Sequence, residues 1–318
     1  MLDPLLIHTH IPKTGGSALH QLLRANYPPR ELVHLDSLNL GSTTLLETAD
    51  PWTHLQTQWR DWYRALPSDS RTRLRCVGGH EAPFLIDAVK DRSVRPFCML
   101  REPVELVIST FLFHVWRAEH LQRMDPPASI IQGIRKRGWG LKDIYREFGG
   151  ARERVEERHV LGEEDFVSPF FNWQTRHILL ETINSAEIPF EAGGEGLRKY
   201  RDMVFETLSE RYVVGTQDRY SQSVRLFADT FGWRRVFVPR ANVGGLRGRE
   251  EELGIDDETR ELIRQYNQVD VELHAHYSER LRDAPLVGRM TDVHGRGRRS
   301  LARAGARARR RASRLKPT

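Results

Sequence analysis

The chain has 318 residues, 39% of them hydrophobic and 29% charged, with only two cysteines. That length buries a core without staples, and two thiols exclude a disulfide scaffold. No apolar run approaches the roughly 18 residues that span a bilayer, so the expectation is a cytoplasmic α/β protein.

Residues 5–9 (LLIHT) read as a strand that enters a loop at once. The loop leads to a helix opened by Gly15 and Gly16 and striped by Leu19, Leu22 and Leu23. Residues 31–50 carry no pattern. A helix is predicted over 52–66, a second strand over 74–78, a helix with Pro83 at its start over 83–91, and a third strand over 94–100. Pro103 then launches a long helix to about residue 121. Residues 122–168, charged and punctuated by Gly and Pro, read as a helical insertion. A helix over 171–181 returns to the core. A fourth strand (212–216), a helix (219–232) and a fifth strand (234–238) follow. The last helix runs over about 257–282, with Leu262, Tyr266, Val269, Leu273, Tyr277 and Leu281 at spacings of three and four. Strand–helix alternation predicts a three-layer α/β/α domain around a parallel sheet of about five strands.

The formal charge of +6 describes the tail rather than this body. Ten of the 49 basic residues and none of the 43 acidic ones fall in 295–318, which leaves 39 basic against 43 acidic residues elsewhere. Residues 1–287 are expected to fold as one domain. Residues 288–318 have too little apolar content to pack and are expected to be disordered. This Arg-rich tail suits peripheral contact with an anionic surface, but it lacks the interleaved aromatics of a specific nucleic-acid binder.

Two segments carry chemistry. In His10-Ile11-Pro12-Lys13-Thr14-Gly15-Gly16-Ser17, between a strand and a helix, glycines permit close backbone approach and the helix start favours an anion. Lys13, Thr14 and Ser17 add a charge and two hydroxyls. The arrangement is a phosphate cradle, though not a Walker A loop, because Lys13 precedes the glycines. In Leu100-Arg101-Glu102-Pro103, Arg101 stands at the carboxyl end of a strand and Ser109 two helical turns beyond, placed for a second phosphate. His8 lies within the first strand and reads as core. Cys76 and Cys98 read as buried thiols, and Trp52, Trp59 and Trp62 as core in preference to a sugar platform. No His, Asp or Glu spacing suggests a metal site.

PKTGGS after the first strand, with LREPVELVIS after a later one, resembles the sulfotransferases that use 3′-phosphoadenosine 5′-phosphosulfate (PAPS). It is most similar to the carbohydrate branch that contains the heparan sulfate and dermatan/uronyl 2-O-sulfotransferases. Gly79-His80, Asn172-Trp173-Gln174-Thr175-Arg176 and Gly215-Thr216-Gln217-Asp218-Arg219-Tyr220 resemble further segments of that branch, in order over roughly residues 5–282.

The resemblance implies a P-loop NTPase-like sulfotransferase fold and transfer of a sulfuryl group from PAPS to a carbohydrate hydroxyl, without a metal. It implies that residues 12–17 hold the 5′-phosphosulfate and that Arg101 and Ser109 hold the 3′-phosphate. Lys13 would stabilise the leaving phosphate and His80 would act as base, with His10 the second candidate. Arg176 is expected to meet the acceptor, and Arg240, Asn242 and Arg247 to close over the nucleotide. The insertion at 122–168 would shape the acceptor cleft. The lack of the Golgi members' signal anchor fits a bacterial relative. Two other readings stand beside this one: a nucleotide or small-molecule kinase on a similar core, and a non-catalytic protein that binds anionic polymers.

Overall fold

The computed structural model describes residues 3–35, 51–120, 138–149, 168–183, 187–238 and 248–282. The expectations for Arg240, Asn242, Arg247, the tail and most of the insertion lie outside these residues. Among the described residues, no helix is long and apolar enough to cross a membrane.

Five parallel strands form one sheet, in the order β2-β3-β1-β4-β5. They are β1 (Leu5–Thr9), β2 (Leu32–Leu35), β3 (Cys76–Gly79), β4 (Val94–Leu100) and β5 (Val213–Thr216). The helices are α1 (Gly16–Asn26), α2 (Pro51–Ala65), α3 (Ser68–Arg73), α4 (Pro103–His120), α5 (Leu141–Phe148), α6 (Trp173–Ile178), α7 (Glu195–Arg211), α8 (Tyr220–Phe231), α9 (Asp257–Tyr266) and α10 (Gln268–Arg282).

The alternation of the strands sorts side chains to two faces. Leu6, Cys76, Phe97 and Met99 pack against α1 and α8 through Leu19, Leu22, Leu23, Val224 and Phe227. Leu5, Ile7, Val77, Cys98, Leu100 and Val214 pack on the opposite face against α2, α7 and α10. Each such fully buried aliphatic side chain contributes on the order of 2 kcal/mol. Both cysteines are free and buried, and burial pushes their thiols well above the ordinary range. A third cluster, built from α4, α5 and α9 with Phe170 and Phe171, forms a helical unit beside the sheet.

Four expectations change. The fifth strand is β2 and not 234–238. The backbone of Arg235 is held by the Asn26 side chain, which donates to its carbonyl and accepts from its N–H, both at 2.9 Å. Residues 83–91 hold only a 3₁₀ turn, Ala82–Leu85. Pro83, Phe84, Leu85, Ile86 and Val89 are all buried, so the segment lacks the polar face of a surface helix. The last helix breaks at Asn267, whose amide donates to Ile263 O (2.8 Å) and Phe170 O (2.9 Å) while its carbonyl accepts from Asn172 N (2.7 Å). Helix α7, with only four buried positions in 17, was not anticipated.

The chain leaves β1 toward β2 and leaves β4 toward β5. Neighbouring strands β1 and β4 thus send their connections opposite ways, which opens a crevice at their carboxyl ends.

Candidate functional site

The loop after β1 turns sharply. Lys13 has φ 67° and Gly15 φ 92°, a conformation that favours glycine at the second position. Thr14 is buried, and its hydroxyl donates to Ile11 O at 2.8 Å. That hydroxyl closes the turn. Gly16 is obligatory, because a Cβ there would lie 1.6 Å from His10 Nε2. Helix α1 begins with no side-chain cap and no acidic residue in its first turn, so its own residues do not offset the positive end that faces the loop. Ser17 is exposed in that first turn, and Pro12 is half-buried in the bend.

Lys13 carries the loop's charge. Its ammonium lies 4.6 Å from the centre of the Phe113 ring, and among the described residues no carboxylate pairs with it. Burial first, and then the charge of Arg101, lower its proton affinity below that of an ordinary lysine. Arg101 reaches across from the end of β4, and its Nη1 donates to the Lys13 carbonyl at 2.9 Å. Its Nη2 stands 3.9 Å from Glu105. Two motifs 88 residues apart thus meet at the crevice between β1 and β4. The Arg101 charge acts on the Lys13 ammonium, and two cations in one crevice favour an anion there.

His80 enters from the end of β3. Gly79, with φ 148°, brings the chain so near β2 that a Cβ would lie 1.7 Å from Leu35 O. The His10 N–H donates to Gly79 O at 3.1 Å, and the His80 Nδ1 lies 2.7 Å from His10 O. A carbonyl only accepts, so Nδ1 carries a proton, and in the neutral ring the lone pair falls on Nε2. The rings of His10 and His80 stack at 4.4 Å. His10 itself is held neutral by burial and by the surrounding imidazoles, and its Nδ1 has no hydrogen-bond partner among the described residues. His10 thus packs face to face against His80 beside the crevice.

The array extends further. His8 stacks on His10 at 5.5 Å, His34 and His20 meet edge to face at 4.6 Å, and His177 stands 6.2 Å from His80. Two of these pairs stack and the others meet edge to face, and among the described residues no group of His, Cys, Asp and Glu is arranged to hold a metal ion.

Arg176 is not at the site. It is 1% exposed, and its guanidinium donates to the carbonyls of Phe171 (2.6 Å), Ile188 (2.6 Å) and Pro189 (3.0 Å) while lying 4.5 Å from the Phe190 ring. It ties the α6 segment to the chain before α7. Trp59 is buried, with its indole N–H donating to Glu81 Oε2 at 2.7 Å, and Trp62 packs against the core. The side chain of Trp52 lies outside the described residues.

Two residues of the Gly215–Tyr220 segment, to which the sequence reading gave no role, are neighbours of the loop. Tyr220 and Gln217, after β5, stand 3.5 and 3.6 Å from where a Cβ on Gly15 would be. On α4, Glu105, Ser109, Phe113 and Trp116 follow at spacings of four, four and three on one face. Ser109 is half-buried there. Phe113 and Trp116, one and two turns beyond, are 39% and 37% exposed, with near-parallel rings 6.2 Å apart. An i, i+3 aromatic pair on the exposed side of an apolar helix was the signal available.

Compared with models of known protein families and with curated proteins, the chain matches none.

Proposed function

We propose that the chain is a PAPS-dependent sulfotransferase that acts on a carbohydrate hydroxyl, on a P-loop-like α/β core. The observation that carries this reading is the meeting of Arg101 with the Lys13 loop at the start of α1. An uncapped helix start and two cations suit a ligand with phosphates at both ends.

In this reading residues 12–17 hold the 5′-phosphosulfate, and Arg101 and Ser109 hold the 3′-phosphate. When bound, PAPS supplies the sulfuryl group and the leaving phosphate. His80 Nε2 takes the proton of the acceptor hydroxyl as its oxygen bonds to sulfur. The bond from sulfur to the phosphate oxygen breaks opposite, and the Lys13 ammonium neutralises the charge left on that oxygen. The tautomer fixed by His10 O is the one a base needs. Phe113 and Trp116, beside Lys13, give the acceptor ring an apolar surface. The same reading puts the enzyme in the cytoplasm and its Arg-rich tail against anionic surfaces.

The test is transfer of label from sulfur-labelled PAPS to heparosan and to desulfated dermatan. Transfer is expected to fall about 100-fold or more in His80→Ala. Labelling that is undiminished in His80→Ala would remove His80 from the mechanism, and labelling of neither polymer would remove this acceptor class. With an active acceptor, Trp116→Ala is expected to raise its KM roughly fivefold or more at unchanged kcat, as loss of one stacking contact does. An unchanged KM would place the acceptor elsewhere.

A further inference from the structure

We infer that Gln174 is a positioning residue that aims Arg101, and that α10 sets that aim through Asp270. The functional consequence rests on the donor-site reading above, whereas the geometry does not.

Along β4 successive residues point their N–H and C=O groups to opposite sides. The Leu100 carbonyl accepts from Gln217 N at 2.7 Å, on the β5 side. The N–H and C=O of Arg101 therefore point to the β1 side. There β1 pairs with β4 only as far as Thr9 beside Cys98, and then turns into the Lys13 loop. Arg101 is left without a strand neighbour where the crevice opens.

The side-chain amide of Gln174 takes that neighbour's place. The Arg101 N–H donates to Gln174 Oε1 at 2.8 Å, and Gln174 Nε2 donates back to Arg101 O at 2.9 Å. A side chain thus completes the ladder for one residue and fixes the backbone from which the guanidinium reaches Lys13 O. Gln174 is fully buried, and water does not substitute for it.

Gln174 is itself held from α10. Asp270, 1% exposed, accepts from Gln174 N (2.9 Å), Thr175 N (2.9 Å) and Thr175 Oγ1 (2.7 Å). In return Asn172 Oδ1 accepts from Val269 N (3.1 Å) and Asp270 N (3.3 Å) at the start of α10. Each helix start is capped by the other's residue. A chain of hydrogen bonds, buried at Asp270 and part-buried at Arg101, runs from α10 through Gln174 and Arg101 to the carbonyl of Lys13. Nothing in it needs to touch a ligand except Arg101.

The experiment is a double-mutant cycle. Binding of 3′-phosphoadenosine 5′-phosphate is measured by calorimetry for the wild type, Gln174→Met, Arg101→Ala and the double variant, with amide exchange followed at Arg101. Gln174→Met keeps the volume and removes both bonds; Gln174→Leu, which also removes both, replaces it if the Met variant does not fold. The expected result is binding weakened about tenfold by Gln174→Met, with the double variant no weaker than Arg101→Ala alone. The Arg101 amide should exchange at least tenfold faster in the variant. Wild-type affinity in a folded Gln174→Met, or losses that multiply in the double variant, would overturn the inference. If the wild type binds no nucleotide the donor reading falls, and the exchange alone decides: equal protection in wild type and variant would refute the clasp.

Discussion

Replacing Lys13 with methionine should slow sulfuryl transfer from PAPS about 100- to 1,000-fold in kcat, the cost of removing one donor aimed at developing charge. Methionine keeps an unbranched stem against Phe113 and removes only the ammonium. The size of the effect follows from the surroundings. The ammonium is partly desolvated, has no carboxylate partner among the described residues, and is pressed by Arg101. A charge so placed interacts strongly with an anion, because neither water nor an acid already neutralises it. In the proposed reading that charge is needed most on the departing phosphate, so kcat should fall further than donor affinity. A variant that loses donor affinity but keeps kcat would show that Lys13 holds the ground state only.

The second large effect is on stability at mildly acid pH. Burial pushes the imidazoles of His8 and His177 down from 6.5 to about 3, and neighbouring imidazoles push them the same way. His10 is lowered by the same causes. His20, half-buried and beside Arg24 and His34, is lowered to about 4. Unfolded, each of these side chains takes a proton near pH 6.5; folded, His8 and His177 do so only near pH 3. Between those values the unfolded state holds more protons, so stability is fully present above about pH 6.5 and declines as pH falls toward 3. Each fully buried imidazole contributes a slope of about 1.4 kcal/mol per pH unit, so His8 and His177 together give roughly 3. Over two units that rivals the 5–15 kcal/mol of a whole domain. Urea unfolding between pH 7.5 and 5 should show this slope, and the pair His8→Gln and His177→Gln should flatten it. A stability that stays level from pH 7 to 5 would contradict the burial of neutral imidazoles.

Much of the sheet was legible because its strands are short apolar runs followed by glycine or a charged turn. LLIHT, LRCVG and VRPFCML need no tertiary context to be read as strands. Residues 32–35 (LVHL) escaped because the run is four residues long, with a histidine inside. RRVFV was misread because apolar content alone does not show that Asn26 takes its backbone polar groups. The two segments that meet at the crevice were visible as motifs, since glycines, a lysine and an arginine at strand ends stand out locally. Arg176 was not, because a buried guanidinium that binds carbonyls and an exposed one that binds a ligand share the same letters. Nor was the histidine array, whose members come from β1, α1, β2, β3 and α6 and meet only when the chain folds.

The most direct test of the central claim is calorimetric titration with 3′-phosphoadenosine 5′-phosphate in the absence of metal, for the wild type and Arg101→Ala. The account predicts metal-free binding by the wild type, weakened about tenfold or more once the charge-assisted contact is lost. No binding by a folded wild type, or equal binding by Arg101→Ala, would contradict it. Binding of ATP with magnesium instead would point to phosphoryl transfer at the same crevice.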